Sequence, residues 1–247
     1  MIKINKYGKI IAANWKLNSS FDFINDYFGN FGFSSSNDES LCVIFCPPSA
    51  YLNCCYSAMP SNTSFYLGAQ NCSNFDSGPY TGEISSLMLK ENFCKFCIVG
   101  HSERRHIFKE SNIDVKLKSE NLLNKDIIPI ICIGETLEEK NKGLTKNILI
   151  NQLNSSLPNN ASPDNIIIAY EPVWAIGSGL IPTSSEINEI HAFIKKEILD
   201  SKNYKILYGG SVKSKNSIDI INLPNVDGVL VGGASLDPVE FSKILNS

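Results

Sequence analysis

Residues 165–179 read NIIIAYEPVWAIGSG. The first half is a short run of branched apolar residues, the composition of a buried strand. Glu171 ends it. Pro172 stiffens the chain just beyond, and Gly177 and Gly179 loosen it again, so a carboxylate is held between a rigid strand and a mobile-looking loop. Seven more runs have the same build: KIIAANW, LCVIFC, SFYLGA, KFCIVG, IIPIICIG, YKILYGG and DGVLVGG. Helical periodicity fills the spaces between them, which is the pattern of a parallel sheet covered by helices. Eight such units match a closed (β/α)₈ barrel, an α/β fold.

The expected helices are Phe21–Phe28, Ser49–Ser57, Ile84–Glu91, Asp114–Leu123, Asn147–Leu153, Ser184–Asp200, Ser217–Ile221 and Pro238–Leu245. The sixth is the best marked, with Thr183 and Glu186 at capping-box spacing and Ile187, Ile190, Ile194 and Ile198 repeating at three and four. One connection, QNCSNFDSGPYTGE at 70–83, is long for a βα loop, and its Phe75 and Tyr80 argue against simple disorder.

With 247 residues, 43% hydrophobic and 19% charged, the chain can bury one large core, and residues 1–247 read as a single domain. A net charge of -3 without a local run of Lys and Arg provides no field for nucleic acid. No apolar segment reaches signal-peptide or membrane-span length, so neither membrane association nor export is expected and the location implied is cytoplasmic. The eight cysteines read as small buried hydrophobes. Cys94 and Cys97 form a CxxC without a second pair, and Cys54 and Cys55 fall in an expected helix, where bridging is awkward.

In a parallel barrel the C-terminal strand ends share one face, and the polar residues there build the site. Those ends carry Asn14 and Lys16, His101 and Glu103, and Glu171; the last two carry Gly209, Gly210, Ser211, Gly232 and Gly233. Backbone N–H groups beside glycine approach an anion closely, which points to a small phosphorylated substrate. Each has a plainer reading. Lys16 suits a solvated surface, His101 a helix cap, the glycine pairs tight turns and Glu171 a structural ion pair, while His106 and His191 read as ordinary helix residues.

AANWKLN, GAQN, YTGE, VGHSERR, ICIGET, AYEPVWAIGSG, YGGSV and GVLVGGASL, in this order along the chain, resemble the signature segments of the triosephosphate isomerase family. The resemblance implies the barrel fold and interconversion of dihydroxyacetone phosphate and D-glyceraldehyde 3-phosphate, a step of glycolysis and gluconeogenesis, with no cofactor and no metal. It implies Glu171 as the base on carbon, His101 as the neutral electrophile, Lys16 as the charge offsetting the enediolate, and Asn14 as an orienting group. Phosphate would rest on the amides of Gly177, Ser211, Gly232 and Gly233, and Asn14 and Lys16 would also touch substrate. Ser102 and Glu103 would support these groups, with Cys132 a small residue beneath the base.

The 70–83 loop resembles the one that reaches a twofold partner, so a homodimer is implied, with Thr81 near the neighbouring Asn14 and Lys16. Pro172 to Gly179 would form a lid tipped by Ala175 and Ile176. Three departures stand out: Ala13 where glycine is common, Pro79 in the interface loop, and Leu180-Ile181-Pro182 after the lid. Two other readings stay open on the residues alone, a class I aldolase-like barrel using Lys16 as a Schiff-base nucleophile and a non-catalytic phosphate-binding barrel.

Overall fold

The structure is a computed structural model that describes residues 2–32, 40–177, 180–198 and 203–247. Its strands are β1 (Lys9–Asn14), β2 (Leu41–Cys46), β3 (Phe65–Ala69), β4 (Phe96–Val99), β5 (Ile128–Ile133), β6 (Ile167–Tyr170), β7 (Lys205–Tyr208) and β8 (Gly228–Val231). They pair in parallel, in chain order, and β8 closes on β1 to complete the expected barrel.

Alternate residues along each strand fall into two separate apolar clusters. Ile10, Ala12, Ile44, Ile98, Ile130 and Leu207 pack together within the ring. Ile11, Ala13, Val43, Val99, Ile131 and Ile168 pack with the surrounding helices. Both faces are therefore dry, which is why the strands read as near-continuous apolar runs instead of alternating ones. Closure brings two backbones close together. A Cβ at Gly228 would lie 1.8 Å from the Ile10 carbonyl oxygen, and the residue has φ +151°, so only glycine lets β8 enter the ring there.

The eight expected helices are all present: Pro238–Leu245 has the expected ends, the second divides into a 3₁₀ turn at Ser49–Tyr51 and an α-helix at Leu52–Ala58, and the others shift at one end or both. The third spans Ser86–Glu91, because Ser85 is its N-cap and accepts the Met88 N–H. The fourth spans Asn112–Leu123, since Ser111 forms a capping box with Asp114 and so draws that residue into the first turn. The fifth and seventh lengthen to Thr145–Ser156 and Ser214–Ile221. The sixth is α-helical only over Ser184–Phe193 and passes into a π-helical turn at Ile194–Ile198, where Lys195 pairs with Asp227 at 2.9 Å. Its expected end at Asp200 lies outside the described residues. Ser102–His106 and Leu137–Asn141 are additional helices, each of 5 residues and too short to show a repeating apolar period.

Trp15, which follows β1, is fully buried and meets Phe23, Tyr27 and Phe45 at ring separations of 5.2, 4.9 and 6.5 Å. This aromatic packing anchors the end of the strand that presents Asn14 and Lys16. All eight cysteines are free thiols, and Cys94 and Cys97 are buried, as the structural reading of that pair expects. Among the described residues no helix is long and apolar enough to cross a membrane.

His191 is no ordinary surface helix residue. It is fully buried beside Tyr170, with Nδ1 3.3 Å from the Asn225 carbonyl, and burial pushes its pKa down from 6.5 to about 3. A depressed imidazole pKa means that the unfolded chain takes up a proton the folded one refuses, so this contribution is full above the ordinary value and is lost as pH falls toward the folded one. Below pH 6.5 the stability of the parent is expected to fall by up to about 1.4 kcal/mol per pH unit more than that of His191→Phe, as read by urea unfolding at pH 7 and pH 5. Equal pH slopes for the two proteins would show that His191 protonates freely in the fold.

Candidate active site

At the end of β1 the Asn14 Oδ1 accepts the Lys16 N–H at 3.0 Å. Gln70, beyond β3, donates through Nε2 to the carbonyls of Lys16 and Cys46, both at 2.9 Å. These bonds hold Lys16 at φ +52°, a left-handed setting that a lysine rarely adopts unsupported. Its ammonium group reaches Glu103 Oε1 at 2.7 Å, on the short helix Ser102–His106. Burial opposes the charge on Glu103, but the hydrogen bond from Lys16, the neighbouring His101 and the Lys16 charge together outweigh it and hold that carboxyl below its ordinary range.

The same short helix places two more groups. His101 is its N-cap, and Nδ1 accepts the Glu103 N–H at 3.2 Å. An accepting Nδ1 puts the ring proton of the neutral imidazole on Nε2, which lies 3.1 Å from Glu171 Oε1. The Ser102 N–H donates to the other oxygen, Glu171 Oε2, at 2.9 Å. Glu171 itself is 1% exposed and is pinned by its own N–H to the Ile133 carbonyl at 2.7 Å. Cys132 lies buried beside it, and both burial and the Glu171 carboxylate push its thiol far above the ordinary range. Inert packing is therefore its part.

A cavity of about 680 Å³ opens over these groups. Asn14, Lys16, His101 and Glu171 line it together with Ile176, Gly177, Gly209 to Lys213 and Gly232 to Ala234. Among the described residues, neither the Ser211 nor the Gly233 N–H has a protein acceptor. Glu240 also borders the cavity, but its carboxylate is taken up by the Ser214 N–H and hydroxyl at 2.8 and 2.9 Å and by its place in the following helix. Thr81 is not part of this cavity. It sits exposed on the 70–83 loop, in a shallow groove with Glu110 and Lys118.

Glu135, two residues past β5, is a further participant that the residue-by-residue reading passed over. It is buried and accepts Tyr170 Oη at 3.2 Å and Trp174 Nε1 at 2.9 Å, tying the first turn after Glu171 to the barrel rim. Burial raises its carboxyl pKa, and the two donors only partly offset this. Its signal was present in the quoted ICIGET, as Gln70 was in GAQN.

A model of the triosephosphate isomerase family matches residues 9–247. The chain belongs to the triosephosphate isomerase family. With that membership comes cofactor-independent isomerisation of a triose phosphate. The chain is similar to the triosephosphate isomerase of Francisella tularensis subsp. mediasiatica, 40% identical over 245 residues that cover 96% of each chain. It is also 40% identical over 240 residues to that of Bartonella quintana, covering 95% of this chain and 94% of the other. The crystal structure of triosephosphate isomerase from Bartonella henselae superposes with a TM-score of 0.87 at 35% identity, over 97% of this chain and 98% of that one.

Of the departures from the family pattern, Ala13 packs its methyl fully buried in the outer apolar cluster, while Leu180 and Ile181 stand exposed ahead of the helix Ser184–Phe193. A steric constraint on the Glu171 side chain itself lies at Gly209. A Cβ there would meet Glu171 Cγ at 2.8 Å, so the side chain that holds the carboxylate has its position by virtue of a missing methyl. Gly209→Ala is expected to keep the fold and displace Glu171, lowering kcat by at least about ten-fold, since small misplacements of a reacting group cost that much or more. Steady-state kinetics and a thermal melt on one preparation test this; an active Gly209→Ala protein with parental kcat would show that Glu171 has room to spare.

Proposed function

We propose that the chain interconverts dihydroxyacetone phosphate and D-glyceraldehyde 3-phosphate through an enediolate, with Glu171 as the base on carbon and His101 as the neutral donor to oxygen. Lys16 offsets the developing negative charge and Asn14 orients the substrate. The observation that carries this reading is the approach of His101 Nε2 to Glu171 at 3.1 Å, beside Lys16, in a single cavity. Proton removal next to a carbonyl requires a carboxylate at the carbon and a donor aimed at the oxygen that becomes charged.

Both oxygens of Glu171 are engaged in the free protein, by Ser102 and His101. To act, the carboxylate leaves the Ser102 amide and turns to a substrate carbon, and the His101 Nε2–H passes from the carboxylate to the substrate oxygen. Glu171 then returns the proton to the neighbouring carbon while His101 relays protons between the two oxygens. The lid starting at Pro172 would set the base and exclude water in the same movement, with the Gly177 amide on the phosphate. Gly177 is described, exposed and at φ +69°; Ser178 and Gly179 lie outside the described residues. Ser211, Gly232 and Gly233 would complete the phosphate seat.

The aldolase-like reading would need Lys16 as a free amine, whereas its Nζ is committed to an ion pair with Glu103. A non-catalytic barrel has no use for a buried carboxylate aimed at a histidine. We place the activity in the cytoplasm.

A homodimer is the working unit in this reading. Phe75 and Tyr80 stack at 3.8 Å on the exposed 70–83 loop, and a second cavity of about 510 Å³ lies beside Lys16, lined by Leu17, Gln70, Glu83, Arg104 and Phe108. Leu17, Ile107 and Phe108 are 96%, 68% and 63% exposed around this one cavity, an apolar patch suited to a partner surface. The partner's 70–83 loop would cover it and bring Thr81 to Asn14 and Lys16.

Glu171→Gln is expected to keep the affinity for a phosphate-bearing inhibitor and to lose isomerisation by at least about 10² to 10⁴-fold, because an amide has the carboxylate's shape without its basicity. Near-parental kcat in that variant would remove Glu171 from the base role. Shortening the loop between Phe75 and Pro79 is expected to give monomers of low activity by sedimentation and a coupled assay. Full activity in a proven monomer would end the shared-site part of the reading.

A further inference from the structure

Lys140 lies on the short helix Leu137–Asn141, far along the chain from the lid ends it touches. Its Nζ is 3.6 Å from the centroid of the Trp174 ring and 3.2 Å from Glu186 Oε1. Trp174 belongs to the turn Val173–Ala175, where the lid begins, and its indole N–H is held by Glu135 at 2.9 Å. Glu186 belongs to the first turn of Ser184–Phe193, the helix that follows the lid and residues 180–182. Its other oxygen, Oε2, accepts the Thr183 N–H at 2.8 Å and the Thr183 hydroxyl at 3.0 Å, so Glu186 cannot shift without loosening that cap. The helix bearing Lys140 is fixed in turn by the Thr136–Glu139 capping box. One cation therefore joins the start of the lid to the helix that follows it, across a cleft of about 250 Å³ also lined by Tyr170 and Pro182.

We propose that Lys140 is a positioning residue for the lid: seated over Trp174 and paired with Glu186, its ammonium group couples the two hinges and favours the setting in which Glu171 remains bonded to Ser102. The proposal rests on the lid reading given above. A cation over an indole face is attracted by the ring quadrupole, and here the same charge is shared with a carboxylate whose place is set by a helix cap. Removing the charge weakens the resting setting relative to the closed one. Substrate then binds more tightly and product leaves more slowly, so KM and kcat fall together, which loss of a merely structural contact does not produce.

The test uses the full-length protein with Lys140→Met, which keeps the stem and removes the charge, and Lys140→Arg, which restores a cation. Kinetics are read beside tryptophan emission. Trp174 is one of two tryptophans, and the other, Trp15, is fully buried and supplies a constant background. Lys140→Met is expected to lower kcat and KM together by about two- to five-fold, the worth of one partly exposed cation–π contact, and to shift Trp174 emission to the red. Lys140→Arg is expected to return all three toward the parent. Unchanged kcat and KM, with or without a lower Tm, would overturn the proposal, as would a change that Arg does not restore. A parent protein that binds phosphate but does not isomerise would instead overturn the reading of function, and the emission shift would still report on the hinge.

Discussion

Closure of the parallel sheet on itself is the constraint from which the rest of this molecule follows. A ring of eight parallel strands has no free edge, and with helices outside and side chains within, both of its faces are dry. Closure is sterically demanding where β8 meets β1, and Gly228 satisfies it by having no side chain to strike the Ile10 carbonyl. Because all strands run the same way, their C-terminal ends meet at one mouth. Asn14, Lys16, His101, Glu171, Ser211 and Gly232 are distant in sequence and line one cavity for that reason alone.

Within the mouth, the short helix Ser102–His106 is the organiser. Its N-cap is His101, its first amide holds Glu171, and its Glu103 holds Lys16. Three chemically different groups thus take their positions from a single turn of chain. The arrangement also sets the histidine tautomer: capping by Nδ1 leaves the proton on Nε2, where a reacting oxygen needs a donor. Charge is handled locally, since Lys16 offsets Glu103 and the Ser214 N–H and hydroxyl occupy Glu240 at the edge of the cavity.

Glu171 is both the end of a rigid strand and the start of a segment that turns away at once. Its backbone belongs to the barrel through Ile133, while its neighbours Val173 to Ala175 are tethered by Trp174 to Glu135 and Lys140. A carboxylate so placed can change partners without any strand moving. The same economy explains the buried Glu135: its charge is uncomfortable there, and the Tyr170 and Trp174 donors that relieve it also join strand and hinge.

The fold was legible in the sequence because eight short Ile/Val-rich runs separated by helical periodicity leave few other topologies, and each polar site residue fell at the end of such a run. That Glu171, His101, Lys16 and Asn14 would meet at one mouth with the glycine pairs beyond β7 and β8 was legible on that ground. Helix ends were less so, since caps such as Ser85 and Ser111 differ from other serines only once their hydrogen bonds exist. The helices Ser102–His106 and Leu137–Asn141 escaped notice because five residues cannot display a period of 3.6. The burial of His191, the Glu135–Trp174 bond, the clasp of Lys140 across both hinges and the steric need for glycine at 209 belong to the tertiary structure alone. Each is a meeting of groups from different βα units, and a linear pattern records the spacing within one unit but not the distance between two.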